Sequence, residues 1–118
     1  MNELIEKIFA DFKVNNKIIP VSFLKYSGKE TTYITYQSIS NDGTFSCEDE
    51  LVGYIDYYDF DIYSKGNYFK IVEEVKKVMK TNGFRWQPNM SSGDMFEDDT
   101  GYYHKTLCFA IERYESEE

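Results

Sequence analysis

The chain has 118 residues, 42% of them hydrophobic, and a formal net charge of -8. That length suits one domain, residues 1–118, with a real core and no need of disulfide or metal staples. The acidic balance argues against broad phosphate binding, which needs clustered Lys and Arg. No run approaches the roughly 18 apolar residues of a membrane-spanning helix, and the opening MNELIEKIFADF lacks the basic start and apolar run of a signal peptide. Cys47 and Cys108 lie far apart and read as free thiols of a reducing compartment.

Asn2 is placed to cap a first helix over Glu3 to Lys13, where Leu4, Ile5, Ile8, Phe9 and Phe12 recur at three- and four-residue spacing. Val14-Asn15-Asn16-Lys17 ends it, and Pro20 favours an extended entry to a first strand, Val21 to Tyr26. Ser27-Gly28-Lys29-Glu30 reads as a turn, and Thr31 to Ser40, rich in Thr, Tyr and Ile, as a second strand. The short link predicts an antiparallel hairpin. Asn41-Asp42-Gly43 is a strong turn signal, followed by a polar, acidic connection from Thr44 to Glu50.

Leu51 to Tyr63 predicts a third strand without clean alternation. Such a strand is central, or has a helix on one face and a partner on the other. A second helix is expected over Gly66 to Asn82, with Tyr68, Ile71, Val72, Val75, Val78 and Met79 as its buried stripe and Asn82-Gly83 as its stop. Phe84 to Gln87 is a short strand, Pro88 to Gly101 a long loop, and Tyr102 to Tyr114 the last strand. The elements add up to an α+β fold: one mixed, largely antiparallel sheet of about four to five strands, with the N-terminal helix and the second helix packed on it.

Chemistry is sparse. His104, the only histidine, has Tyr103 and Lys105 beside it and reads as a surface strand residue. Cys108 is four residues further along, too far on a strand for a direct Cys-His pair, and zinc would want about four N or S ligands. Asp59 and Asp61 share a strand face, and Glu97-Asp98-Asp99 sits in the long loop, but the spacing is not that of an EF-hand and reads as a solvated acidic rim. No glycine-rich phosphate loop occurs. Lys70, Lys76, Lys77 and Lys80 give the second helix a basic side, offset by Glu73 and Glu74. No catalytic, cofactor-binding or metal-ligating residue is therefore assigned, and no enzyme activity is expected. The stronger signal is the eleven tyrosines, a residue that strands favour and that interfaces enrich.

Several segments carry a resemblance: Thr32-Tyr33-Ile34-Thr35-Tyr36-Gln37, Phe60-Asp61-Ile62-Tyr63-Ser64-Lys65, Gly83-Phe84 and Tyr103-His104-Lys105. Together with the element order, they make the chain resemble the tail-completion or tail-terminator (head-tail joining) proteins of long-tailed bacteriophages and prophages. The resemblance spans nearly the whole chain and contains no catalytic signature. It implies a small α+β subunit of a ring, typically a hexamer, that caps the tail tube and joins it to the head connector. Its partners would be copies of itself, the tail-tube protein and head-connector proteins, with DNA passing through unread and no membrane involved. Its place would be the host cytoplasm during assembly, then the virion tail. Candidate contact residues are Tyr57, Asp59, Asp61 and Tyr63 on the third strand, Glu48, Asp49 and Glu50 in the acidic turn, and Met95, Phe96, Glu97, Asp98 and Asp99 in the long loop. The alternative reading is an acidic inhibitor or immunity-type protein that meets a basic partner, such as a nuclease toxin, through Glu48-Asp49-Glu50 and Glu97-Asp98-Asp99.

Overall fold

Helix α1 (Asn2–Ile8) opens a computed structural model that describes residues 2–47 and 51–115. The helix is shorter than its apolar spacing predicts, because the chain turns at residues 9–11. Phe9 and Phe12 still reach the core, edge to face at 5.1 Å. Strands β1 (Lys13–Val14) and β2 (Lys17–Ile18) then form a separate two-stranded hairpin. Asn15 and Asn16 are its two turn residues, with φ of 56° and 67°. A two-residue hairpin turn needs left-handed backbone at both positions, and Asn tolerates it.

The main sheet has six strands: β3 (Val21–Phe23), β4 (Tyr33–Cys47), β5 (Leu51–Ser64), β6 (Arg85–Trp86), β7 (Met95–Glu97) and β8 (Tyr102–Glu115). Its order is β3-β4-β5-β8-β6, with β7 further along the β8 edge that carries β6. With helix α2 (Phe69–Thr81) packed on it, this is the α+β architecture expected, and the sheet is mostly antiparallel. It holds one or two strands more than the sequence led us to expect.

Three expectations are corrected. The first two strands are not a hairpin: β3 runs parallel to β4, with Val21 opposite Ile34 and Phe23 opposite Tyr36. Leu24, at φ 69°, turns the chain away and donates its N–H to the Tyr36 carbonyl, so residues 24–32 carry it back before β4 begins. Asn41-Asp42-Gly43 is not a turn. Strand β4 continues to Cys47, and register shifts between Ser38 and Asn41 and between Asp42 and Phe45 absorb the polar residues as bulges. Pro88 to Gly101 is not a structureless loop. It contains a 3-10 turn, Pro88–Met90, and strand β7, which places Phe96 opposite Tyr103.

That segment has a physical role. Gln87 N–H donates to the Cys108 carbonyl, Cys108 N–H to Ser91 Oγ, and Ser92 and Thr106 exchange two bonds of 2.9 Å. Residues 85–97 thus satisfy the backbone of β8 along its outer edge, which would otherwise be an open template for another strand. Beyond Tyr36, by contrast, the outer edge of β4 has no strand partner among the described residues.

Both helices pack on one face of the sheet. Ile34 and Tyr36 of β4, Tyr58, Phe60 and Ile62 of β5, and Leu107 and Phe109 of β8 form one buried cluster with Ile71, Val72, Val75 and Met79 of α2. The predicted stripe is buried in full except for Val78, which packs at its margin. Asn67 Oδ1 accepts from Phe69 N–H at the start of α2 (2.9 Å). At its end Gly83 has φ 90°, its N–H donates to the Lys80 carbonyl, and Phe84 N–H donates to the Met79 carbonyl. These two bonds make a Schellman motif, closed by the buried Met79 and Phe84.

The molecule is elongated, 52 × 27 × 23 Å, with a radius of gyration of 15.7 Å; a compact chain of this length would have about 13.5 Å. The excess comes from the strands. Leu51 to Tyr57 run on past Tyr58, the last β5 residue of the core cluster, between β4 and β8. At about 3.3 Å per residue this makes an arm about 23 Å long.

Candidate functional site

The sheet face opposite the helices carries Tyr57, Asp59, Asp61 and Tyr63 of β5. No helix lies on it among the described residues, yet it is less free than strand parity implied. Tyr63 is sandwiched between its cross-strand neighbours, Tyr33 at 5.0 Å and His104 at 4.3 Å, both stacked. Tyr26 extends the row by stacking on Tyr33 at 4.6 Å, and Tyr102 meets Tyr33 and Tyr63 edge-on. Burial, first of all, pushes the Tyr33 and Tyr63 hydroxyls above their ordinary range. The face is therefore roofed by its own rings, and such stacked pairs add to the area they bury.

Its carboxylates are not a solvated rim. Asp61 accepts from Thr106 Oγ1 at 2.5 Å and lies 3.3 Å from His104 Nε2, with both side chains about one-fifth exposed. His104 Nδ1 lies 3.9 Å from Glu97, so the histidine is held between carboxylates from two strands and is not an ordinary surface residue. The partner missing from its sequence neighbours comes from the adjacent strand. Asp59 is half-buried, takes a hydrogen bond from the Cys108 thiol, and leaves Oδ1 without a partner. Burial is the main cause that raises its pKa above 3.8, and the Asp61 charge adds to it. Cys108 is buried, and burial together with the Asp59 charge pushes its thiol up to about 12. It carries no thiolate at neutral pH. Among the described residues no three His, Cys, Asp or Glu side chains are grouped to hold a metal.

The raised Asp59 pKa gives a pH dependence with a definite sign. A carboxyl whose folded pKa lies above its unfolded value adds stability that is complete below the unfolded value and is lost as pH rises through the folded one. Asp59→Asn should therefore melt at a higher temperature than wild type at neutral pH, and the two should converge as pH falls toward 3.8. Thermal melts across that range check it; a lower melting temperature for the variant at neutral pH contradicts it.

The freer surface lies at the other predicted segment. Strand β7 and the turn after it present Met95 at 42% and Phe96 at 52% exposure, with Glu97, Asp98 and Asp99 also exposed. Phe96 packs on Tyr103 at 4.9 Å, Tyr103 on Tyr68 at 6.2 Å, and Tyr68 on Phe69 at 5.6 Å. Phe69 is 61% exposed and Tyr103 40%. Tyr68, Phe69 and Tyr103 line an open hollow of about 410 Å³ together with Lys65 and Asp94. The Tyr68 hydroxyl donates to Asp94, which also faces Lys105 Nζ at 3.5 Å. Those two contacts hold the Asp94 carboxyl below its usual range, that from Tyr68 most strongly; the Tyr68 bond ties the segment to the start of α2 and the Lys105 contact ties it to β8.

Sequence reasoning placed Met95, Phe96, Glu97, Asp98 and Asp99 at this surface and missed Phe69 and Tyr103. Phe69 was detectable, because it is an aromatic residue that falls off the apolar stripe of α2. Tyr103 shares the parity of Leu107 and Phe109 but lies beyond the end of the core. Glu48, Asp49 and Glu50 fall outside the described residues.

No described helix is long and apolar enough to cross a membrane. A scan against protein-family models finds no match to this chain, and neither does a search of curated proteins.

Proposed function

We propose that this chain is a structural subunit of a phage or prophage tail. In this reading it is a tail-completion protein that closes into a ring, typically a hexamer, on the head-proximal end of the tail tube. Head-connector proteins meet its other side, and DNA passes through the bore without being read. It assembles in the host cytoplasm and remains in the virion tail. The observation that carries the reading is the exposed aromatic end formed by Phe69, Phe96 and Tyr103. Contiguous exposed rings with a polar rim are the mark of a protein-binding surface. The elongated sheet and the outer edge of β4 beyond Tyr36, which has no strand partner among the described residues, add contact area at the opposite end. The α+β architecture is compatible with the small subunit that the resemblance implies.

Exposed Glu97, Asp98 and Asp99 on the same hairpin favour a second reading, an acidic inhibitor that covers a basic partner such as a nuclease. Tail-tube assembly in vitro separates the two. As a terminator, the chain stops tube growth at amounts far below those of tube protein; as an inhibitor, it leaves tubes unchanged and lowers the activity of a cognate nuclease.

A further inference from the structure

On the helix side of the same covered edge, Trp86 of β6 stands 41% exposed beside Lys76, Lys80, Phe84 and Arg85, which with it line a hollow of about 320 Å³. Lys76 Nζ lies 3.6 Å from the centre of the Trp86 ring, a cation–π contact. The indole N–H donates to Ser91 Oγ at 3.0 Å, which fixes the ring without help from a ligand. Phe84, 2% exposed, forms the floor. Arg85 also reaches Glu112 at 3.4 Å, so the rim carries three cations and one carboxylate in a chain of net charge -8.

The same molecule carries the complementary shape. The β7–β8 turn offers an exposed ring, Phe96, followed by Glu97, Asp98 and Asp99. Phe96 pairs with Tyr103 and Trp86 with Phe109, so six residues of β8 separate the two features. At about 3.3 Å per residue that is about 20 Å, and the hairpin cannot enter the hollow of its own chain. We propose that the occupant is a second copy: Phe96 of one subunit enters the Trp86 hollow of the next, and Asp98 and Asp99 face Lys76 and Lys80. This rests on the ring reading and names its subunit contact. Two different patches meet, as a closed ring requires, and charge fixes the register while the rings supply the buried area.

Sedimentation of the full chain, wild type and three variants, tests it. Wild type should self-associate, more weakly as salt rises from about 50 to about 500 mM. K76E/K80E and D98K/D99K should each lose at least about tenfold in association, and an equal mixture of the two should recover it. Phe96→Ala, at an exposed position, should lose a similar factor. Swapped variants that associate like wild type overturn this contact and leave the ring reading standing. A charge-dependent dimer that never grows further supports the contact and defeats the ring. A wild type that stays monomeric at every concentration overturns both. Binding of a short DNA duplex that K76E/K80E abolishes, with self-association unchanged, assigns the hollow to nucleic acid and overturns the proposal.

Discussion

Phe60→Ala is expected to cost about 4 kcal/mol of folding stability, the range for removing a fully buried phenylalanine without collapse of the space it leaves. Phe60 has no exposed surface and stands at the junction of three ring contacts: Phe9 at 5.6 Å, Tyr36 stacked at 5.5 Å and Phe109 edge-on at 5.7 Å. These partners come from the segment after α1, from β4 and from β8, so the cavity loosens every layer of the core at once. A chain of this length has roughly 6–18 kcal/mol in all, and the variant should melt about 15 °C lower. Phe60→Leu, which keeps most of the volume, should lose about 1–2 kcal/mol. Urea titration of the three proteins measures both values. A loss below about 1 kcal/mol for the alanine variant contradicts the packing described.

Phe69→Ser/Phe96→Ser should have the opposite profile. Both rings are more than half exposed, so folding stability should change little, and the melting curve should overlie that of wild type. Association should suffer severely. Interface aromatics commonly contribute about 2 kcal/mol or more each when truncated, so the double change should weaken assembly at least about 100-fold. Sedimentation with a parallel melt separates the two effects. A variant that assembles like wild type removes the aromatic end from the contact, and one that unfolds shows that the rings serve the core instead.

Long, strongly patterned elements were legible in the sequence, and so were the short strands β3 and β6, but β1, β2 and β7 were not. The buried stripe of α2 and strand β8 follow from 3.6-residue spacing and alternation sustained over many residues, and strand β5 from a long run of aromatic and β-branched residues. Strand β3 was expected at Val21 to Tyr26 and is found at Val21–Phe23, whereas strand β7, three residues held by pairing with β8, was not expected. No local pattern announces β7, and the direction of β3 depends on the left-handed backbone at Leu24. Asn41-Asp42-Gly43 carries turn chemistry, but β5 supplies enough pairing to keep it in a bulged strand. Tertiary pairing overrode local preference there. The candidate site divides in the same way. Phe96 and the carboxylates after it were visible as a polar, irregular segment, whereas their meeting with Phe69 and Tyr103 depends on how β7 docks on β8. Tyr63 and Asp61 looked available because strand parity reveals the face of a side chain and not the neighbours that cover it. His104, Tyr33 and Thr106 do so from adjacent strands.

The central claim, that this chain terminates a tube, is tested most directly by the length of tail tubes grown with it. Added at a few copies per tube, it should halt elongation and appear as a ring on one tube end only. Phe69→Ser/Phe96→Ser should leave growth unchecked. Tubes that lengthen equally with and without the wild-type chain, and that carry no ring at either end, contradict the account.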